Sequence, residues 1–319
     1  MYQEYAIDPT TICRSFDRFK LVWNGLGYPE GRLLSRFPGR WEDKVFKSAS
    51  YEELPDGLRK KWIFDALAAE AKTRQKLKSI ASGRDFDSNA TTWLEEAERA
   101  HSAKPFSGIL SETNPRGNAD IVCYDELGDV EDCWNVPRPW QVTRFYKDMS
   151  AAAAPLLHAS REILFVEPYF KFESRFTRPL KAFLSELVPY ASPIRRIEIH
   201  LKQWDGDVHA EDFQEEFSQA LEANLRHLKP DDGDAIIEKL EFFIWESPTG
   251  SNAMHPRYIL TEVAGLGFEN GLDESSDGCG LTDVSIIAGD SLTNRWKEFQ
   301  ESTCTRRQVA KISARELLT

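Results

Sequence analysis

The sequence predicts an α/β protein in two parts, a helical N-terminal module and a C-terminal domain built on a mixed, mainly parallel sheet with helices on both faces. Three observations lead there. From about Arg161 onward, short apolar runs alternate with amphipathic stretches at helical spacing, the pattern of strands joined by crossover helices. Before that point, apolar residues recur mostly at helical spacing. Charge divides the chain in a similar place: Met1 to Leu110 carries 18 Lys+Arg against 16 Asp+Glu, and the remainder 22 against 36. The helical module is read as 1–115, a loop-rich bridge as 116–138 and the α/β domain as 139–319.

In order along the chain, Phe16, Phe19, Val22, Trp23 and Leu26 define a first helix, stopped by Gly27-Tyr28-Pro29-Glu30-Gly31. A longer helix is predicted from Leu58 to Ile80 on the register Trp62, Leu67, Ala71 and Leu77, with Lys60, Lys61, Lys72, Arg74, Lys76 and Lys78 on its basic side. Ser88-Asn89-Ala90-Thr91 opens a third, in which Glu95 and Glu96 lie where the helix dipole favours anions. One strand, Ala119 to Tyr124, falls in the bridge, and Trp140 to Ser160 reads as a helix kinked at Pro155.

The alternation then runs strand Glu162–Phe165, helix Ser174–Leu187, strand Arg196–Leu201 and helix Glu211–Leu228 with Phe213, Phe217, Leu221, Leu225 and Leu228 inward. Strands at Leu240–Trp245, Arg257–Glu262 and Val284–Ala288 follow, with a short piece near Gly267–Leu272 and a closing helix at Thr293–Gln300.

Composition narrows the function classes. A chain of 319 residues buries a core without metal or disulfide staples. The five cysteines are odd in number, scattered and never spaced Cys-x-x-Cys, so they read as reduced thiols of a cytoplasmic protein. No charged stub precedes an apolar run at the N-terminus, and eighteen apolar residues never occur together, so neither secretion nor a membrane span is expected. The acidic second half repels a polyphosphate unless its cations are gathered locally.

A parallel sheet offers its site at the carboxyl ends of its strands. Residues there are Glu167 and Tyr169 after ILFV, His200 and Lys202 after RIEI, Glu246 after EFFIW, and Met254-His255-Pro256-Arg257 before YILTE. Within His255-Pro256-Arg257-Tyr258-Ile259-Leu260-Thr261-Glu262, element order and spacing resemble one half of the phospholipase D-like superfamily, whose signature is His-x-Lys, four residues, then Asp. Arg257 stands at the lysine position and Glu262 at the aspartate, and Gly265-Leu266-Gly267-Phe268-Glu269-Asn270 follows where the family has Gly-Ser and an asparagine.

The resemblance implies a metal-independent phosphodiesterase needing no cofactor, in which one histidine attacks phosphorus and a second protonates the leaving oxygen. One good motif then implies a homodimer with His255 in both roles. Arg257 acts as phosphate clamp, and Glu262 and Asn270 orient the site, with Glu167, Tyr169, His200 and Lys202 as further phosphate-binding candidates. Nucleic acid is preferred to lipid as substrate, because no membrane-contacting amphipathic segment is identified. A place in nucleic-acid processing or genome defence, within a larger assembly of partner proteins, extends the same resemblance.

The alternative is a catalytically inactive module of the same fold that binds a protein or nucleic-acid partner, since Arg and Lys meet phosphate differently and the family's serine is missing. A second formal match, His200-Leu201-Lys202-Gln203-Trp204-Asp205-Gly206-Asp207, is read as incidental, because a long amphipathic helix follows it. Walker, nucleophile-elbow and zinc-protease motifs do not occur. In the first half, basic residues from Arg14 to Lys47 interleave with Phe16, Phe19, Trp23, Tyr28, Phe37 and Trp41, a pattern that serves a helical surface over an aromatic core or a nucleic-acid backbone.

Overall fold

The computed structural model describes residues 2–49, 57–73, 76, 83–87, 89, 92–127, 134, 139–204, 210–246, 254–300 and 302–317. The chain divides into two compact units, Met1–Pro137 and Arg138–Thr319. Among the described residues no helix is long and apolar enough to cross a membrane.

The first unit contains β1 (Gln3–Ile7), α1 (Phe16–Asn24), β2 (Arg32–Leu34), α2 (Trp41–Ala49), α3 (Gly57–Thr73), α4 (Trp93–Ala103), β3 (Gly108–Ser111) and β4 (Ile121–Cys123). The strands form a parallel sheet in the order β2-β1-β3-β4, which corrects the expectation of a mostly helical module without a sheet. These strands are three to five residues long and mostly buried, so they lack the polar alternation of a half-exposed strand. The strand anticipated at Ala119 to Tyr124 is β4, and it pairs with β3, so that stretch of the bridge segment belongs to the first unit.

The helices of this unit cover the sheet through two apolar clusters. Ser15 caps α1 by accepting the Arg18 backbone N–H, and Phe19, Val22 and Trp23 turn inward. In α3 the buried positions are Ile63, Leu67 and Glu70; of the expected register Leu67 is buried, whereas Ala71 is exposed and Trp62 stays exposed with its ring edge-on to Phe16 at 5.4 Å. Thr92 caps α4 through the Glu95 N–H at 3.2 Å; Ser88, Ala90 and Thr91, like Arg74, Leu77, Lys78 and Ile80, lie outside the described residues. Phe19, Trp23, Tyr28, Phe37 and Trp41 are all buried, so five of the six aromatic residues singled out in the basic stretch are core side chains, Phe16 being half-buried, and Arg18 is spent on Glu112.

The second unit runs β5 (Trp140–Thr143), α5 (Tyr146–Ala159), β6 (Glu162–Val166), α6 (Ser174–Leu187), β7 (Arg196–Lys202), α7 (Ala210–Leu228), α8 (Asp234–Ile237), β8 (Leu240–Trp245), β9 (Tyr258–Thr261), β10 (Gly265–Phe268), β11 (Leu281–Ile287), α9 (Gly289–Lys297) and β12 (Gln308–Ser313). Trp140–Thr143, expected as the start of a helix, is a strand paired with β11, and α5 begins only at Tyr146.

The eight strands lie in the order β12-β8-β7-β6-β9-β10-β11-β5. Parallel pairing is confined to β6, β7 and β8, where crossover helices join the strands; the other pairs are antiparallel, so the parallel part is narrower than the alternation implied. Helices cover both faces. Phe165 meets Phe183 of α6 at 5.7 Å and Phe242 meets Phe217 of α7 at 5.5 Å. On the opposite face Leu164, Val166, Phe243, Trp245 and Leu260 pack with Leu292 and Trp296 of α9. The expected stripes Phe176, Leu180, Phe183, Leu184, Leu187 and Phe213, Phe217, Leu221, Leu225, Leu228 are the buried faces of α6 and α7.

Candidate functional site

Sheet register decides which loops meet. Val166 pairs with both His200 and Tyr258, and Lys202 pairs with Trp245, so the ends of β6, β7 and β8 and the start of β9 share one edge. Tyr169 is the hub of that edge. Its hydroxyl and His255 Nδ1 share a hydrogen bond of 2.7 Å, the Lys202 ammonium lies 4.7 Å from its ring centre and the Arg257 guanidinium 5.1 Å. Both cations are within the range at which an aromatic quadrupole attracts a positive charge. His255 is exposed, Tyr169, Lys202 and Arg257 are half-buried, and the buried Arg257 Nε has no hydrogen-bond partner among the described residues.

Glu167 anchors the hub from beneath. It is 3% exposed and accepts the Tyr169 N–H at 3.2 Å and the Leu272 N–H at 2.8 Å, so one carboxylate ties the loop after β6 to the segment between β10 and β11. Burial pushes its carboxyl above the usual range, and the two N–H donors draw it partly back. Asp273, also buried, accepts from Arg144 at 2.8 Å and from Arg175 Nε at 3.0 Å, which closes the same segment. Gly271, at φ 109°, passes so close that any Cβ there runs into the Asp273 carboxylate.

Beside the hub lies a groove of about 800 Å³. His255 and Arg257 are among the residues that line it, Tyr258, Gly267 and Ser285 form a row across its floor, and Glu269 and Asp283 lie on the same sheet face. Tyr258, Gly267 and Glu269 fall within the motif segments of the sequence, whereas Ser285 and Asp283 lie outside them. The available signal for those two was a charged residue, Asp283, inside the apolar alternation of LTDVSII.

Two anticipated site residues lie elsewhere. Glu262 is at the far end of β9, where its carboxylate accepts the Arg161 N–H at 2.7 Å and the Glu162 N–H at 3.1 Å. The intervening strand separates it from His255 by the length of β9, so the motif's spacing does not bring them together here. His200 is fully buried. Trp245 Nε1–H donates to its Nδ1 at 3.0 Å, which leaves Nε2–H to donate to Glu198 at 3.0 Å, so neither nitrogen is free for substrate. Its ring stacks on Phe243 and Trp245, and burial holds its pKa below the ordinary histidine value.

Asn270 is bound to the β11 backbone, its Nδ2 donating to the Leu281 carbonyl at 2.9 Å. Glu246 is exposed at the end of β8. Asp205, Gly206, Asp207 and His209 lie outside the described residues. Of the other histidines, His158 pairs with Glu186 and His101 with Asp120. Among the described residues no three His, Cys, Asp or Glu side chains converge as a metal-binding group.

No known protein-family model matches this chain, and no curated protein matches it in sequence. Among solved structures it is similar to phosphatidylserine synthase of Haemophilus influenzae Rd KW20, at 14% identity and a TM-score of 0.34, over 53% of this chain and 39% of the synthase. A second likeness is to TrmBL2, an archaeal chromatin protein described as showing a novel mode of DNA binding, at 14% identity and a TM-score of 0.29 over 84% and 96% of the two chains. Similarity at this level leaves the functional reading to the site's own geometry.

Proposed function

We propose that the second unit is a phospholipase D-like phosphodiesterase domain, a metal-independent nuclease acting through His255 in a homodimer. The observation that carries this reading is the gathering of His255, Arg257 and Lys202 around Tyr169 at the rim of an open groove. Two cations beside one exposed imidazole suit a phosphodiester, whose equatorial oxygens they neutralise as charge builds. With Nδ1–H donated to the Tyr169 oxygen, Nε2 keeps its lone pair for phosphorus. The P–O bond to the leaving group breaks as a P–N bond forms, and the leaving oxygen takes the proton of His255 of the partner subunit. Water then displaces the imidazole from phosphorus and returns a proton to that same partner histidine.

The second reading is a binding module of the same fold without turnover. The burial and full engagement of His200 favour it, because a second imidazole must then come from another subunit. Hydrolysis of a generic phosphodiester and of single- and double-stranded DNA and RNA in the presence of chelator separates the two. The expected result is cleavage that falls by about 10³-fold in His255→Ala and survives in Glu262→Ala, whose carboxylate serves the far end of β9. Absence of cleavage by a folded homodimer moves the assignment to the binding module. Cleavage that persists in His255→Ala removes the mechanism.

A further inference from the structure

The groove beside the hub carries charge of both signs. Tyr258, Gly267 and Ser285 are register partners across β9, β10 and β11, so they share a face. Glu269 is two residues past Gly267 and Asp283 two before Ser285, which brings both to that face on neighbouring strands. Their backbones are joined by the Glu269 N–H donating to the Asp283 carbonyl at 3.1 Å. Neither carboxylate has a hydrogen bond or ion pair among the described residues. Like charges opposite one another weaken a sheet, and the nearby Arg257 guanidinium meets the Glu269 main-chain carbonyl, Nη1 donating at 3.4 Å, rather than either carboxylate. The buried Nε of Arg257 lacks a partner among the described residues, and His255 lines the same groove two residues earlier in the chain.

We infer that the groove reads a nucleobase: with the phosphodiester at His255 and Arg257, Asp283 and Glu269 accept from the amino group of cytosine, adenine or guanine and turn away thymine and uracil. The inference rests on the phosphodiester reading above and adds its substrate class, single-stranded nucleic acid of selected base composition.

Carboxylates accept from exocyclic amines but repel the carbonyls that flank the lone imino N–H of thymine and uracil. Single strands are required because a base edge in a duplex is already paired. The floor is flat where Gly267 lacks a side chain, and Tyr258 and Pro139 offer apolar surface for a planar ring. A lipid is less suited: Leu281 alone is a large exposed hydrophobic residue among those described in this unit, which leaves acyl chains uncovered. A second phosphate in the groove meets two negative charges, so the diester enters at the rim with one base beyond it.

The test is calorimetric titration of the full chain with the dinucleotides d(CpC), d(ApA) and d(TpT), alongside vesicles of phosphatidylethanolamine. The expected result is about tenfold tighter binding of d(CpC) and d(ApA) than of d(TpT), lost in the Asp283→Asn, Glu269→Gln double variant. The double variant keeps its fold, read as an unchanged or raised melting temperature, because two opposed charges are removed; each single variant gives an intermediate preference. Equal binding of all three dinucleotides that still depends on Arg257 overturns the base-reading inference and leaves the phosphodiester site standing. A base preference that survives in the double variant overturns it as well. Binding of vesicles but no dinucleotide removes both the inference and the nuclease reading.

Discussion

At the scale of single residues, one ring organises the candidate site and another organises the core beneath it. Tyr169 collects a histidine and two cations at the rim, whereas His200, two residues from Lys202 on β7, is enclosed by Phe243, Trp245 and Phe299 and has both nitrogens engaged. Burial lowers the His200 pKa from 6.5, the hydrogen bond to Glu198 acting in the other direction. As pH falls through that ordinary value, the unfolded chain takes up a proton the folded chain refuses, so the folded state loses stability toward acid. Denaturant unfolding at pH 7.5 and 5.5 is expected to show that loss in wild type and a smaller one in His200→Gln, although the variant starts lower for want of the stacked ring. Equal slopes in both proteins sink this account of His200.

At the scale of elements, the antiparallel run β9-β10-β11 supplies the floor of the groove and the seat of α9. Gly265 sits where the strands and helix converge: a Cβ there lies 2.9 Å from Leu260 Cδ2, 3.2 Å from Ile287 Cβ and 3.4 Å from Leu292 Cδ1. Leu260 is fully buried and has no open space to retreat into. Gly265→Ala is therefore expected to cost about 1–3 kcal/mol through overpacking, read as a lower denaturant midpoint at unchanged m-value. A midpoint equal to wild type means the strand–helix junction is looser than these distances describe.

At the scale of the whole molecule, the described apolar clusters each draw on a single unit: two belong to the first and one to the second. Each unit has a sheet of its own and helices to cover it, the condition for independent folding. Residues 139–319 expressed alone are expected to unfold in one cooperative transition and to keep the binding properties of the full chain's groove, whose lining residues all lie in that segment. A non-cooperative melt shows that the segment needs the first unit.

The sequence by itself determined the second unit's alternation of strands and helices, the inward faces of α6 and α7, and the four loops that converge on one sheet edge, because burial periodicity and the rule for strand carboxyl ends are local properties of the chain. It also picked out His255, Arg257, Tyr169 and Lys202, since each lies within three residues of an apolar run. The parallel sheet of the first unit was hidden, as buried strands of three to five residues carry too little pattern to be told from helix. Tertiary structure alone decided that Glu262 serves the opposite end of β9, that His200 is locked between Glu198 and Trp245, and that Glu269 and Asp283 share a face. Each of those depends on which strand lies beside which and in what register, and pairing between distant segments is not written in the spacing of any one of them.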